Sequence, residues 1–314
     1  MPSDLPSRPL GASGLTVAVV GLGCNNFGRR IDLDSTRRVI DATIAEGITF
    51  LDTADIYATG DSEQFLGEVL QGRRDQVILA TKFGMDMGDG RGPRGSGDYI
   101  RQAIDASLRR LRTDFVDYYW YHQPDGKTPI ADTLEALHEL VRAGKVRAIG
   151  ASNFSAEQLE EADRAARERD LTPFTAVQNE YSLLVRDAER DVLPACERLG
   201  IGFVPFFPLA SGLLTGKYRR GESGPAGARL SERDQVATDE QFDLIDALQR
   251  YANRRDLALT DVAIGALLAR PAVSSVIAGA TKPEQVAANA AAARWAPSDG
   301  DIAELDELLA PTAP

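Results

Sequence analysis

The chain alternates short apolar runs with longer amphipathic segments along most of its length. The apolar runs are roughly four to eight residues long and rich in β-branched or aromatic residues, which is typical of buried strands. The segments between them repeat apolar residues at helical spacing, as Ile100, Ile104 and Leu108 do. This pattern predicts strands over residues 17–23, 49–54, 76–83, 116–122, 146–151, 174–180, 202–209 and 273–278.

Helices are predicted between these strands. We expect them over residues 35–46, from residue 61 or 62, over 99–111, up to about 144, from a capping box at 155–158, and over 187–199. Eight strands that alternate with helices, with no break in composition, predict a closed parallel (β/α)8 TIM barrel. The sequence therefore predicts one domain over residues 1–314.

Three further segments are expected to decorate the barrel. The residues around Gly11 and Gly14 predict a short N-terminal hairpin that plugs the bottom of the barrel. Residues 219–234 combine glycine and proline with charges, which predicts a mobile loop over the catalytic face. Residues 299–309 predict a C-terminal helix.

The composition limits the classes of partner. A net charge of −12 argues against a nucleic-acid or anionic-membrane partner, so a local pocket must hold any anionic ligand. Cys24 and Cys196 are too few for a disulfide framework or a structural zinc site, and no metal is predicted. The sequence has no apolar leader and no 18-residue apolar span. We expect a cytoplasmic, reduced protein, and the oligomeric state stays open.

Four polar residues stand where strands of such a barrel end. Asp52, Lys82 and His122 each close an apolar run, and Tyr57 follows the first of them by five residues. Taken singly, each has an ordinary structural explanation, such as a buried cap, an ion pair, a core histidine or a surface aromatic. Active sites of this fold lie at the carboxyl ends of the strands. Together the four residues predict a proton-transfer site.

The glycine-rich segment at residues 21–28 does not match the fingerprint of a doubly wound dinucleotide-binding fold. That fingerprint requires a glycine three residues after the second one, and Asn26 occupies this position. The remaining motifs resemble those of the aldo-keto reductases over nearly the whole chain. The similar segments are residues 50–57, 80–84, 117–122, 149–153, 177–181 and 205–217.

This resemblance implies an enzyme that reduces a carbonyl group with a hydride from a nicotinamide cofactor. Tyr57 is then the general acid, and Lys82 is expected to lower the pKa of the phenol from its usual value near ~10. Asp52 is expected to hold Lys82 charged and oriented. His122 is expected to hydrogen-bond the substrate oxygen.

The resemblance also implies where NADP(H) binds. Ser152, Asn153 and Gln178 suit the carboxamide, and Phe206 supplies a stacking face where the family commonly has tyrosine. Phe207 replaces a serine that the family often has, and for both phenylalanines the alternative is barrel core. The resemblance assigns the pyrophosphate loop and the adenosine-phosphate end to Pro208, Leu209, Ser211, Lys217, Gly279, Ala280, Thr281, Lys282, Gln285 and Asn289.

Lys282 decides the choice between the two nicotinamide cofactors. A lysine at a strand-to-helix junction, near exposed helix N–H groups, suits a 2′-phosphate and favours NADP(H) over NAD(H). The alternative is a solvated lysine. The substrate is expected to border an aromatic, mostly apolar pocket that suits aldehydes or ketones without a strong negative charge. This pocket is predicted from Asn25, Phe27, Phe83, Trp120 and Tyr121.

The leading hypothesis is therefore an NADPH-dependent carbonyl reductase. A second hypothesis is a regulatory subunit that keeps the fold and senses the nucleotide with low turnover. A third is a Schiff-base lyase with Lys82 as the nucleophile. The third leaves the segments at residues 152–153 and 178 without a role.

Overall fold

The computed structural model describes residues 5–222, 224–225, 228–230 and 236–310. Within these ranges the strands are β1 (Ser7–Pro9), β2 (Thr16–Ala18), β3 (Val20–Gly23), β4 (Phe50–Asp52), β5 (Ile78–Phe83), β6 (Val116–Tyr121), β7 (Val146–Ser152), β8 (Ala176–Gln178), β9 (Gly202–Phe203) and β10 (Val276–Gly279). The helices are α1 (Leu33–Ala45), α2 (Asp61–Val69), α3 (Gly97–Leu111), α4 (Ile130–Arg142), α5 (Ala156–Glu168), α6 (Val192–Leu199), α7 (Asp239–Asn253), α8 (Leu259–Leu268), α9 (Pro283–Ala292) and α10 (Asp299–Leu308). Short 3-10 helices cover Tyr57–Gly60, Arg74–Gln76, Asp187–Glu189 and Ala210–Thr215.

The central sheet closes into a parallel barrel. Among the described residues, eight strands pair in the order β10-β3-β4-β5-β6-β7-β8-β9. The two ends of this sheet join through hydrogen bonds from Ile277 N to Pro205 O (2.9 Å) and from Ser274 N to Phe203 O (2.9 Å). The helices between the strands cover the outside of the barrel. This confirms the predicted (β/α)8 fold.

The lower end of the barrel is filled by the N-terminal hairpin. Strands β1 and β2 pair antiparallel, and Leu10, Leu15 and Val17 pack with inward side chains of the barrel such as Tyr118 and Val204. The hairpin is therefore present where the sequence predicted it. The predicted strand over residues 17–23 is wrong in its first part, because Val17 belongs to the hairpin and the barrel strand begins at Val20.

Several barrel strands are shorter than predicted. The run at 202–209 contributes only Gly202–Phe203, and the run at 174–180 contributes only Ala176–Gln178. Beyond these strands the pairing continues as isolated bridges, such as those from Phe206 to Glu180 and to Ile277. Residues 206–209 line the mouth of the barrel, so the apolar character of that part of the run reflects the cavity wall. The predicted helix at 187–199 is likewise divided into a 3-10 turn and α6.

The other peripheral predictions are resolved in part. A capping box between Ser155 and Gln158 begins α5, and α10 forms the expected C-terminal helix. The predicted mobile loop at 219–234 falls partly on residues 223, 226–227 and 231–234, which lie outside the described residues. None of the helices in the described ranges is long and apolar enough to cross a membrane.

Candidate active site

A cavity of about 900 Å³ opens at the carboxyl ends of the barrel strands. Asp52, Tyr57 and His122 line its floor, and Gln178 and Asn153 line the wall beside them. Parallel strands bring these residues together from distant parts of the sequence, since all their carboxyl ends meet at one face of the barrel. The structure therefore brings the predicted proton-transfer residues into one site.

Lys82 lies at the centre of this site and is fully buried. Its Nζ donates hydrogen bonds to the Asp52 carboxylate, to Thr53 O at 2.9 Å and to the Tyr57 hydroxyl at 3.3 Å. These three acceptors match the three N–H groups of an ammonium. A buried cation is tolerable only when it is paired in this way.

The alternation of side chains along β5 explains why Lys82 points inward. Ala80 packs among the inward residues of the barrel, whereas Leu79 and Phe83 pack on the outer side against the helices. Lys82 has the same parity as Ala80, so its side chain enters the barrel two residues later. Asp52 ends β4, the strand that pairs with β5, and is directly opposite Ala80.

Tyr57 reaches Lys82 from an unusual turn. The 3-10 segment that Tyr57 begins continues through Ala58, Thr59 and Gly60, whose φ angles are 49°, 56° and 99°. Left-handed backbone is costly for residues with a Cβ atom, so surrounding contacts must hold this conformation. The turn places the phenol oxygen beside the ammonium instead of letting the chain continue directly into α2.

The pKa of Tyr57 differs from the sequence prediction. Burial raises it above its usual value, and the nearby Lys82 ammonium lowers it by less than burial raises it. Lys82 acts on this pKa in the predicted direction, but the prediction left out burial, and in this pocket the desolvation of the phenolate outweighs the attraction of Lys82. Tyr57 therefore keeps its proton at neutral pH.

The pKa of Lys82 moves in the direction that keeps it charged. Burial by itself lowers this pKa, but the Asp52 carboxylate and the Tyr57 oxygen raise it further than burial lowers it. Gln178 supports the carboxylate, since its Nε2 donates to Asp52 Oδ1 at 3.1 Å. The site thus contains a permanent cation beside a protonated phenol.

His122 faces the same centre as a neutral imidazole. Burial lowers its pKa well below the usual value, and the Lys82 charge lowers it further. Its ring centroid lies 6.0 Å from that of Tyr57 in an edge-to-face arrangement. Its backbone N donates to Phe83 O at 2.8 Å, and its carbonyl accepts from Asn153 Nδ2 at 2.9 Å. A neutral imidazole can give a hydrogen bond to a substrate oxygen without carrying the proton that is transferred.

Most of the predicted cofactor residues line the cavity. They include Asn153, Gln178, Phe206, Phe207, Pro208, Leu209, Ser211, Lys217, Gly279, Thr281, Lys282, Gln285 and Asn289. Ser152 and Ala280 do not line it. Ser152 is buried, with Oγ accepting from Asn153 Nδ2 at 3.3 Å, and Ala280 offers its carbonyl to Asn26. Both residues act on their neighbours rather than facing the cavity.

Four cations surround the outer part of the cavity. Arg30, Lys217, Arg229 and Lys282 all line it. Burial lowers the pKa of Lys217, and the other three cations lower it further. Lys282 stands at the N-cap of α9, where N–H groups of the first helical turn have no intrahelical partner. This part of the cavity is suited to an anionic ligand.

The predicted substrate residues are placed differently. Asn25 lines the cavity, but Phe27, Phe83, Trp120 and Tyr121 do not. Phe83 and Tyr121 point outward and stack on each other with ring centroids 5.0 Å apart. Trp120 points inward but lies against Tyr118 in the buried layer below the site, and Phe27 is buried in the outer core.

The sequence analysis missed other residues of the cavity wall. Met85, Asn26, Arg30 and Arg229 line it. Arg229 Nη2 donates to Asn25 Oδ1 at 3.2 Å, and its guanidinium lies 5.1 Å from the ring centroid of Phe207. Arg229 belongs to the long excursion after β9, so no strand-end signal marks it. Arg30 had a weak signal, because it follows the loop that leaves β3.

Comparison with known proteins agrees with this geometry. The sequence pattern of the Aldo/keto reductase family matches residues 19–310. The chain is 34% identical over 298 residues to a probable voltage-gated potassium channel subunit beta of Oryza sativa subsp. japonica, covering 90% of this chain and 89% of that protein. It is 38% identical over 293 residues to the uncharacterized oxidoreductase YrpG of Bacillus subtilis (strain 168), covering 88% and 87%. The chain belongs to the aldo/keto reductase family.

Proposed function

We propose that the protein is an oxidoreductase that reduces aldehyde or ketone carbonyls with NADPH. The observation that carries the proposal is the hydrogen-bonded series Asp52–Lys82–Tyr57 on the cavity floor, with His122 beside it. Membership of the aldo/keto reductase family and the oxidoreductase relative from Bacillus subtilis support the same reaction class.

The proton for the carbonyl oxygen comes from Tyr57. Its raised pKa keeps the phenol protonated until a substrate oxygen gains negative charge. His122 donates a second hydrogen bond to that oxygen. As the proton leaves, Lys82 stabilises the phenolate, and Asp52 keeps the ammonium in place. Bound NADPH supplies the hydride for the carbonyl carbon.

The charges of the cavity fit NADP(H) better than NAD(H). A pyrophosphate carries about two negative charges, and a 2′-phosphate adds about 1.5 to 2 more. Arg30, Lys217, Arg229 and Lys282 match that total, within a chain whose net charge is −12. With NAD(H), about two of these cations would face no phosphate. The amide groups of Asn153 and Gln178 suit the carboxamide of the nicotinamide.

Two other functions deserve comparison with this one. The relatives named as probable potassium channel beta subunits favour a regulatory subunit with slow turnover as the second candidate. A Schiff-base lyase is disfavoured, because the raised pKa of Lys82 keeps the nitrogen protonated and its N–H groups are already used. An ammonium has no lone pair for attack on a carbonyl.

The test is NADPH consumption against a panel of aldehydes, ketones and quinones, with the wild-type protein and Tyr57→Phe. We expect wild-type turnover, and a loss of about 10²- to 10⁴-fold in kcat for Tyr57→Phe with the NADPH Kd unchanged. Retained activity in Tyr57→Phe would overturn the assigned proton donor. NADPH binding without turnover on any carbonyl would favour the regulatory candidate.

A further inference from the structure

A buried carboxylate joins three elements behind the active site, outside the lining of the cavity. Glu63 in α2 is fully buried and accepts a hydrogen bond from Thr81 Oγ1 in β5 at 2.5 Å. Its other oxygen accepts from Arg110 Nε in α3 at 2.6 Å. We refer to Glu63, Thr81 and Arg110 as the Glu63 network.

The Glu63 network contacts the strand that carries Lys82. Thr81 immediately precedes Lys82, and successive side chains of a strand point to opposite faces. Lys82 therefore points into the barrel toward Asp52, while Thr81 points outward to Glu63. A hydrogen bond on Thr81 fixes the strand from behind at the residue next to the ammonium.

The Glu63 network also contacts the turn that carries Tyr57. Glu63 is in the first turn of α2, directly after Tyr57–Gly60. The Arg110 side chain packs against Gly60, since a Cβ atom on Gly60 would lie 2.8 Å from Arg110 Cδ. Residues 58–60 all have positive φ, so this turn depends on external contacts to keep its conformation.

Stability alone is a weak reason for such a network. Taking a carboxylate and a guanidinium out of water costs free energy that their mutual attraction often only balances, and apolar residues can fill the same volume without that cost. Hydrogen bonds differ from apolar contacts in fixing distance and direction. The Glu63 network contacts both β5 and the turn at Tyr57–Gly60, and these two segments carry the two atoms that lie 3.3 Å apart, Lys82 Nζ and the Tyr57 oxygen.

We propose that Glu63 is a positioning residue that sets the distance between Tyr57 and Lys82 through Thr81 and Arg110. The proposal rests on the proposed function in so far as it concerns turnover. Its structural part, the geometry of Tyr57 relative to Lys82, stands on the contacts alone. Glu63 does not touch the cavity, so its effect on the chemistry is transmitted by the backbone of β5 and of the turn.

The variants are chosen to break one contact at a time. Thr81→Val removes the hydroxyl at nearly constant shape, and Thr81→Ser keeps the hydroxyl as the matched control. Glu63→Gln keeps an acceptor for Thr81 and loses the charge that pairs with Arg110. Glu189→Gln serves as a distant control, because Glu189 is paired with Arg186 at 2.6 Å and does not line the cavity.

The first readout is steady-state kinetics with a carbonyl substrate that the wild-type protein reduces. We expect Thr81→Val and Glu63→Gln to lower kcat by about 10- to 100-fold, as displacement of reacting groups by about 1 Å does. The NADPH Kd should stay unchanged, because no cavity residue is altered. Thr81→Ser and Glu189→Gln should keep wild-type kcat, even where their Tm falls. A fall in Tm with unchanged kcat in Thr81→Val and Glu63→Gln would overturn the proposal.

The second readout does not depend on turnover. In protein labelled with ¹³Cζ-tyrosine, the Tyr57 resonance is assigned by its absence in Tyr57→Phe. We expect this resonance to shift in Thr81→Val and Glu63→Gln and to stay in place in both controls. If Glu63→Gln does not fold, the Thr81 pair decides the question. A shifted resonance in a protein that reduces no carbonyl would refute the proposed function and leave the positioning role intact, whereas an unshifted one would refute the positioning role.

Discussion

At the scale of single residues, the proposed preference for NADPH can be tested at Lys282. Lys282 stands at the N-cap of α9 in the group of four cations, and a charged hydrogen bond from it should be worth about 1.5–3 kcal/mol. We expect Lys282→Ala to weaken NADPH binding by about 10- to 150-fold and to change NADH binding little. Fluorescence titration of both cofactors measures this. The control is Lys127→Ala, an exposed lysine outside the cavity lining. Equal losses for NADPH and NADH would show that Lys282 does not contact the 2′-phosphate.

A second prediction at this scale concerns Asp55 and the way the free energy of unfolding depends on pH. Burial raises its pKa from 3.8 to about 7, and the neighbouring Glu63 raises it as well, while Arg110 and Arg94 act in the opposite direction. Its Oδ1 has no hydrogen-bond partner within the described part of the chain. Between about pH 4 and 7 the folded protein therefore binds a proton that the unfolded chain has released, so the free energy of unfolding falls as pH rises through this window.

Asp55→Asn removes this titration while nearly conserving shape. We expect the two proteins to have similar stability below about pH 4, and the variant to become the more stable one as pH rises to about 7 and to remain so at pH 8. Urea unfolding at a series of pH values measures the difference. If the wild-type protein instead gains stability relative to Asp55→Asn between pH 5 and 8, the prediction fails. Asp55 would then lack, in the folded state, the proton that its burial favours.

At the scale of elements, the hairpin β1–β2 is predicted to stabilise the barrel from below. Leu15 is 4% exposed and packs among the inward residues, whereas the next residue, Thr16, is exposed. Leu15→Ala should lower the free energy of unfolding by about 2–5 kcal/mol, the usual range for a buried leucine. Thr16→Ala should change it by less than about 0.5 kcal/mol. Chemical denaturation of both variants tests this, and equal effects would mean that the plug contributes little.

The order of the elements could be read from the sequence, but their ends could not. Hydrophobic periodicity predicted the alternation of strands and helices because parallel strands are buried on both faces. The same apolar character continues past β9 into Phe206 and Phe207, which line the cavity. Periodicity cannot distinguish an apolar strand residue from an apolar wall residue. The ends of the strands are set by where backbone pairing stops, and the hydrophobic pattern does not show that position.

The site residues that could be predicted are those whose position follows from the local sequence pattern. Asp52, Lys82 and His122 follow from strand ends, and their inward orientation follows from the two-residue repeat. Phe83 and Tyr121 were assigned to the substrate without that repeat, which turns both side chains outward. Arg229 could not be found, because the excursion from β9 brings it to the cavity through long-range contacts that no local pattern encodes.

At the scale of the whole molecule, charge is distributed unevenly. The chain carries a net charge of −12, yet four cations gather at the outer cavity. The proposed NADPH would therefore bind a locally positive site on a negative protein, and the attraction would be short-ranged. We expect salt between about 0.05 and 0.5 M to weaken NADPH more than NADH, because the Debye length falls below about 10 Å over this range. Titration of both cofactors at each salt concentration measures this. An equal salt dependence of the Kd for NADPH and NADH would contradict recognition of the 2′-phosphate by these charges.

The plug at the lower end of the barrel has a kinetic consequence. Leu10, Leu15 and Val17 of the hairpin pack into that end, and Tyr57 lines the cavity at the mouth, so we expect ligands to reach Tyr57 through the mouth. When a cofactor and a substrate enter a cavity through the same opening, a bound substrate can block the entry or release of the cofactor. With the nicotinamide at its proposed position beside Gln178 and Phe206, we expect the nucleotide to enter before the carbonyl compound and to leave after the alcohol. Turnover should then follow a compulsory order of binding. In product-inhibition kinetics, NADP should be a competitive inhibitor with respect to NADPH and not with respect to the carbonyl compound.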